Sequence, residues 1–105
     1  MFPDHLGRIL TSRSGGMCEM WIEHVCAGSA DMVWDRLHTV PRRVSQLLHV
    51  CTPCGMEAAR YPATCELSGW TLAPDQNPVA CTTRRRTLVQ LLFDDGTVET
   101  LGVDE

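Results

Sequence analysis

The sequence predicts an α+β fold: three short N-terminal helices, a cysteine-ligated middle and a C-terminal β-hairpin. Three observations carry this reading. Apolar residues recur at helical spacing between residues 17 and 51, a Cys-x-x-Cys turn stands at Cys51-Thr52-Pro53-Cys54, and two β-prone runs flank Asp94-Asp95-Gly96. A chain of 105 residues fits a single domain, 1–105, with a core small enough that a metal cross-link adds needed stability.

Residues 1–16 read as a flexible lead-in, in which Leu6, Ile9 and Leu10 form a short apolar turn before the breaker Thr11-Ser12-Arg13-Ser14-Gly15-Gly16. Residues 17–51 read as helical. In the first helix, over residues 17–27, Cys18, Trp21, Ile22, Val25 and Cys26 form one buried stripe. The competing strand pattern puts Cys18, Met20, Ile22, His24 and Cys26 on one face and leaves Trp21 and Val25 outside. Gly28 and Ser29 separate this helix from a second over residues 30–38, with Val33, Trp34 and Leu37 on its apolar side. Pro41 suits the first turn of a third helix, whose Val44, Leu47, Leu48 and Cys51 repeat at helical spacing and deliver the Cys-x-x-Cys turn at its end.

Residues 51–81 form the cysteine centre. A helical turn over residues 56–60 ends at Tyr61-Pro62, residues 65–72 suit a short strand, and residues 73–78 form a Pro- and Asn-bearing loop. Residues 87–101 form the hairpin, because an Asp-Gly turn between two β-prone runs matches strand twist.

Zinc takes four nitrogen or sulfur ligands in a tetrahedron. Cys51 and Cys54 supply two from one knuckle, where Gly55 permits a positive φ, and Cys65 and Cys81 are the expected remaining pair of a Zn2+ site. His24, His49, Cys18 or Cys26 can replace either of that pair, and otherwise the outlying cysteines are small core residues. The Cys51-Thr52-Pro53-Cys54 turn also resembles the Cys-x-Pro-Cys of thioredoxin-like proteins, and residues 87–96 are loosely similar to their late hairpin. That resemblance implies a thiol oxidoreductase. A strand before the first cysteine and a helix-N-terminal thiolate belong to that family, whereas the spacing here predicts a helix ending at Cys51.

Charge is uneven. Residues 1–35 hold two Arg against five acids, residues 36–86 seven Arg against three, and residues 87–105 no base against five acids. A basic middle between acidic ends, at net charge −4, favours a chosen protein partner over general affinity for nucleic acid. Arg84-Arg85-Arg86 and Arg42-Arg43 are the best phosphate-binding candidates and support, as an alternative, a zinc-containing nucleic-acid-binding transcriptional regulator. No Ser-His-Asp order, phosphate-cradling glycine loop or His-Glu-x-x-His motif occurs, so catalysis is not expected. No apolar run reaches the length of a membrane span and no signal-peptide pattern opens the chain, so a cytoplasmic location is expected.

The expected function is therefore a non-enzymatic, zinc-stabilised binding protein, a regulator or inhibitor docking on a larger protein complex. In size and charge it is analogous to phage and mobile-element products such as anti-CRISPR proteins. Trp34 and Trp70, with Arg36, Arg42 and Arg43, are the expected docking residues, since Trp and Arg carry much of the energy at interfaces. If the tryptophans instead fill the core, the acidic hairpin around Asp94, Asp95 and Glu99 is the alternative face.

Overall fold

The computed structural model describes residues 4–39 and 43–103. It is a mixed helix and sheet structure with α1 (Asp4–Ser14), β1 (Met32–Asp35), β2 (Leu47–Val50), α2 (Thr52–Ala59), α3 (Pro62–Ser68), β3 (Thr83–Arg85), β4 (Leu88–Leu92) and β5 (Val98–Val103). Strands β1 and β2 pair antiparallel, and β3, β4 and β5 form a second antiparallel sheet in that order.

The N-terminal half departs most from expectation. The lead-in is the helix α1, with Asp4 in its first turn and Arg13 in its last, each at the favourable end of the helix dipole. Its Leu6 and Leu10 pack with Val44 and Leu47 in a small second core. The helix expected over residues 17–27 is an irregular loop. Cys18 N and Glu19 N donate to other segments, to Gly28 O (2.8 Å) and His49 O (2.8 Å), and the local bonds are limited to one turn in which Val25 N and Cys26 N donate to Ile22 O, so a helical ladder is not formed. Cys18 and Met20 are buried while Trp21 is 43% exposed, as the alternating pattern places them.

The second expected helix is the strand β1. Trp34 faces Leu48 across the ladder and Val33 faces His49, a pairing that satisfies the backbone without a helix. The third shrinks to a 3₁₀ turn at Val44–Gln46 followed by β2; its expected start at Pro41, like Arg42, lies outside the described residues. The stretch from Val44 to Val50 is buried, its polar Ser45 and Gln46 included, apart from the half-buried His49, and so short a buried stretch suits a strand as well as a helix. Residues 65–72 are not a strand: Cys65 belongs to α3, and Gly69 closes that helix in the left-handed conformation at φ 76°. A Cβ there would lie 2.1 Å from Thr82 O.

The C-terminal hairpin is present as β4 and β5 around the Asp94-Asp95-Gly96 turn. It gains β3, which contains Arg84 and Arg85 of the arginine run. The main core gathers Trp34, Leu48, Val50, Trp70 and Leu92 about the buried cysteines.

A buried cluster of Arg13 and Arg85 on Glu19, and a single buried arginine, Arg36, tie these parts together. Glu19 is fully buried and accepts from Arg13 Nε (2.8 Å), Arg13 Nη2 (2.7 Å), His49 N (2.7 Å) and Arg85 Nε. Burial pushes its carboxyl up, but the Arg13 and Arg85 guanidinium groups and the His49 amide outweigh that and hold it below the usual range. Arg36 is also fully buried; it donates to Gly69 O (2.7 Å), Ser45 O (2.8 Å) and Cys81 O (3.0 Å), joining three loops.

Candidate metal centre

The Cys-x-x-Cys turn starts a helix rather than ending one. Cys51 follows β2 directly and is the N-cap of α2, with extended backbone at φ −79° and ψ 153° and Pro53 in the first turn. Its Sγ accepts from Cys54 N at 3.4 Å, the capping bond of that helix. Gly55 lies inside α2 and is not a positive-φ residue. A Cβ there would meet the end of the flexible Met32 side chain, with Sδ at 2.6 Å.

The 17–31 segment brings two further sulfurs to this helix start. The loop is pinned at its base by the Met17–Ser29 bridge and by Asp31 N donating to Val50 O at 2.9 Å. Asp31 Oδ1 also accepts from Thr52 N (2.7 Å) and Thr52 Oγ1 (2.9 Å), locking the loop to the turn. Trp21 and His24 adopt positive φ of 54° and 65°, which lets the chain reverse between Cys18 and Cys26.

The result is a group of four thiols. The sulfurs of Cys18, Cys26, Cys51 and Cys54 all lie within 4.8 Å of one another, and Cys18, Cys51 and Cys54 are buried. A tetrahedral zinc with bonds of about 2.3 Å has sulfur–sulfur edges of about 3.8 Å. The Cys26–Cys51 pair stands at 4.0 Å. Four sulfurs at these separations could hold a metal ion after a contraction of about 1 Å or less.

Backbone amides surround the sulfurs. Ile22 N donates to Cys54 Sγ (3.4 Å), Ala27 N to Cys51 Sγ (3.3 Å) and Gly28 N to Cys26 Sγ (3.4 Å). Such N–H donors favour thiolate over thiol, the form a metal binds. For Cys51, burial pushes the thiol up but the Ala27 and Cys54 amides and the neighbouring thiols outweigh it, bringing it to about 7. Burial pushes Cys54 well above the usual thiol range and raises Cys26 as well. The second sphere thus prepares one thiolate, and a bound cation would supply the charge that draws the others into the same state.

The remaining expected ligands are elsewhere. Cys65 is buried and donates from Sγ to Ala58 O at 3.1 Å, a hydrogen bond that seats it in the α2–α3 junction. Cys81 follows the 3₁₀ turn Pro78–Ala80, and its carbonyl serves Arg36. His24 is at the surface beside Glu23 (3.5 Å), and His49 Nδ1 is bonded to Ser14 Oγ (2.7 Å). Both the helical and the alternating pattern over residues 17–27 turn Cys18 and Cys26 inward, and neither says which thiols they meet.

The expected docking residues are mostly interior. Trp34 is 8% and Trp70 1% exposed; Trp34 Nε1 donates to Trp70 O (2.7 Å) and Trp70 Nε1 to Arg84 O (2.7 Å). These bonds satisfy both indole N–H groups in the core and correct the expectation of an exposed aromatic face. Arg36 is enclosed, for the reason given above. Arg43 is at the surface, paired with Asp94 (2.9 Å) and Asn77 (3.0 Å).

No protein-family model, curated protein or solved structure matches this chain. Among the described residues no helix is long and apolar enough to cross a membrane.

Proposed function

We propose that this chain is a small, non-enzymatic binding protein held together by one structural zinc ion. One observation carries the reading: four cysteine sulfurs within 4.8 Å of one another, drawn from two segments and three of them buried. An all-thiolate tetrahedral site leaves no position for substrate, and catalytic zinc keeps such a position open. Zinc bound here would close the 18–26 loop onto α2, so its binding energy would become folding energy.

A regulator or inhibitor docking on a larger protein, of the phage or mobile-element type that includes anti-CRISPR proteins, remains the proposed biological role. The arginine run supports a protein partner over nucleic acid. Arg85 is spent on Glu19, and Arg86 on the carbonyls of Cys18 (3.2 Å) and Ser14 (2.7 Å), which turns two guanidinium groups away from phosphate binding.

The test is metal analysis on protein purified without chelator. About one zinc per chain is expected. Cys18→Ser, Cys26→Ser, Cys51→Ser and Cys54→Ser should each lose metal and melt far lower, whereas Cys65→Ser and Cys81→Ser should keep it. Metal-free wild-type protein with an unchanged melting temperature overturns the reading. A Cys51–Cys54 disulfide would instead support the thioredoxin-like reading, which one observation favours: Cys51 stands between a strand and a helix N-terminus. Against that reading, Cys51 and Cys54 are both buried, and an exchanging disulfide needs access.

A further inference from the structure

We infer that the free edge of β5 is a docking site for an extended, basic segment of a partner protein. This rests on the reading of the chain as a protein-binding module and names the chemistry of its partner.

Among the described residues, β5 (Val98–Val103) pairs with β4 and with no other strand, so one line of its backbone N–H and C=O groups faces outward. Edge strands of monomeric proteins are commonly guarded by charged side chains, by Pro or by a bulge, and here Glu99 and the irregularity at Leu101 are the guards against pairing with a like strand. The strand carries neither Lys nor Pro, and it presents Leu101 at 53% and Val103 at 65% exposure. A register shift opposite Val89/Gln90 leaves Leu101 without a cross-strand partner. Apolar side chains beside an unpaired backbone are what an added strand uses: main-chain bonds supply affinity and alternate side chains supply specificity.

Charge selects the occupant. Residues 87–105 contain five acids and no base. Asp94 is already held by Arg43 and Ser45, and Asp95 by Thr97, but Glu99 is exposed on the strand itself. A second copy would bring the Glu99 of each strand into one interface, and like charges across a strand pair are unfavourable. A basic segment reverses that sign and gains from it on approach.

The probe is a capped seven-residue peptide of alternating Arg and Val, compared with its Glu/Val counterpart. Residue-resolved amide hydrogen exchange on zinc-saturated protein reads the site. The Arg/Val peptide should slow exchange of the outward β5 amides at least tenfold, with a strong salt dependence, and the Glu/Val peptide should not. Glu99→Lys should invert this preference, while Leu101→Lys/Val103→Lys should abolish protection without lowering the melting temperature. No protection of β5, equal protection by both peptides, or β5 amides already protected in a peptide-free dimer would each overturn the inference. Metal content measured on the same sample separates the two ideas. Zinc-loaded protein that ignores both peptides refutes the docking edge alone, and metal-free protein that binds the Arg/Val peptide refutes the metal centre alone.

Discussion

Replacing Glu19 by Gln should be among the most damaging isosteric changes available in this protein. Oε1 accepts from Arg13 Nη2 and His49 N, and Oε2 accepts from Arg13 Nε and Arg85 Nε. Each oxygen therefore faces two donors, and whichever way the new amide turns, its NH2 group points at N–H groups. The side chains involved are nearly enclosed, at 0% exposure for Glu19, 2% for Arg13 and 8% for Arg85. Removing the carboxylate leaves two guanidinium groups buried without a counter-charge, and breaking a buried pair in this way costs about 3–5 kcal/mol. Against a total stability of about 5–15 kcal/mol, that is a large fraction, equivalent to a melting temperature lower by roughly 15–25 °C in a domain of this size. Urea unfolding of metal-saturated protein, followed by the emission of the buried Trp34 and Trp70, measures it. Glu66→Gln, on the exposed side of α3, serves as the reference and should change stability by less than about 0.5 kcal/mol. A Glu19→Gln variant within about 1 kcal/mol of wild type would refute the claim that this carboxylate holds the arginine cluster.

Two further outcomes follow from other contacts. Gly69→Ala should destabilise by more than about 2 kcal/mol, since a left-handed residue other than glycine costs about 1–2 kcal/mol and its Cβ would also collide with the Thr82 backbone; thermal melting within 2 °C of wild type would refute this. Asp94 is pushed up by burial but held below the usual carboxylate value by Ser45 and Arg43. A depressed folded pKa gives stability that is present above the unfolded value and lost as pH falls through the folded one. Asp94→Asn should therefore melt lower than wild type at neutral pH, and the gap should close as pH drops below the ordinary carboxylate range; a gap independent of pH would count against the pairing.

What was legible in the amino-acid sequence is what short-range chemistry decides. The Asp94-Asp95-Gly96 turn and the two runs beside it pair over a few residues, so β4 and β5 follow from local propensity. Cys51 and Cys54 lie three residues apart, and any turn between them brings their sulfurs together. The break at Arg60 and Tyr61 between α2 and α3 is likewise set by Tyr61-Pro62.

Tertiary structure decided the rest, because the deciding bonds cross long stretches of chain. Between residues 17 and 50 the apolar residues satisfy a helical period and an alternating one, and periodicity cannot choose between them. The choice falls to the pairing of Met32–Asp35 with Leu47–Val50 and to the donation of Glu19 N to His49 O, thirty residues away. Once β2 is a strand, Cys51 must cap a following helix, and the loop that bonds to β2 carries Cys18 and Cys26 to its side. The same pairing buries Trp34 and, through the Glu19 cluster, draws Arg85 inward. Spacing along the chain cannot distinguish Cys18 and Cys26 from Cys65 and Cys81 as neighbours of the turn, because their proximity is a property of strand pairing and not of sequence distance.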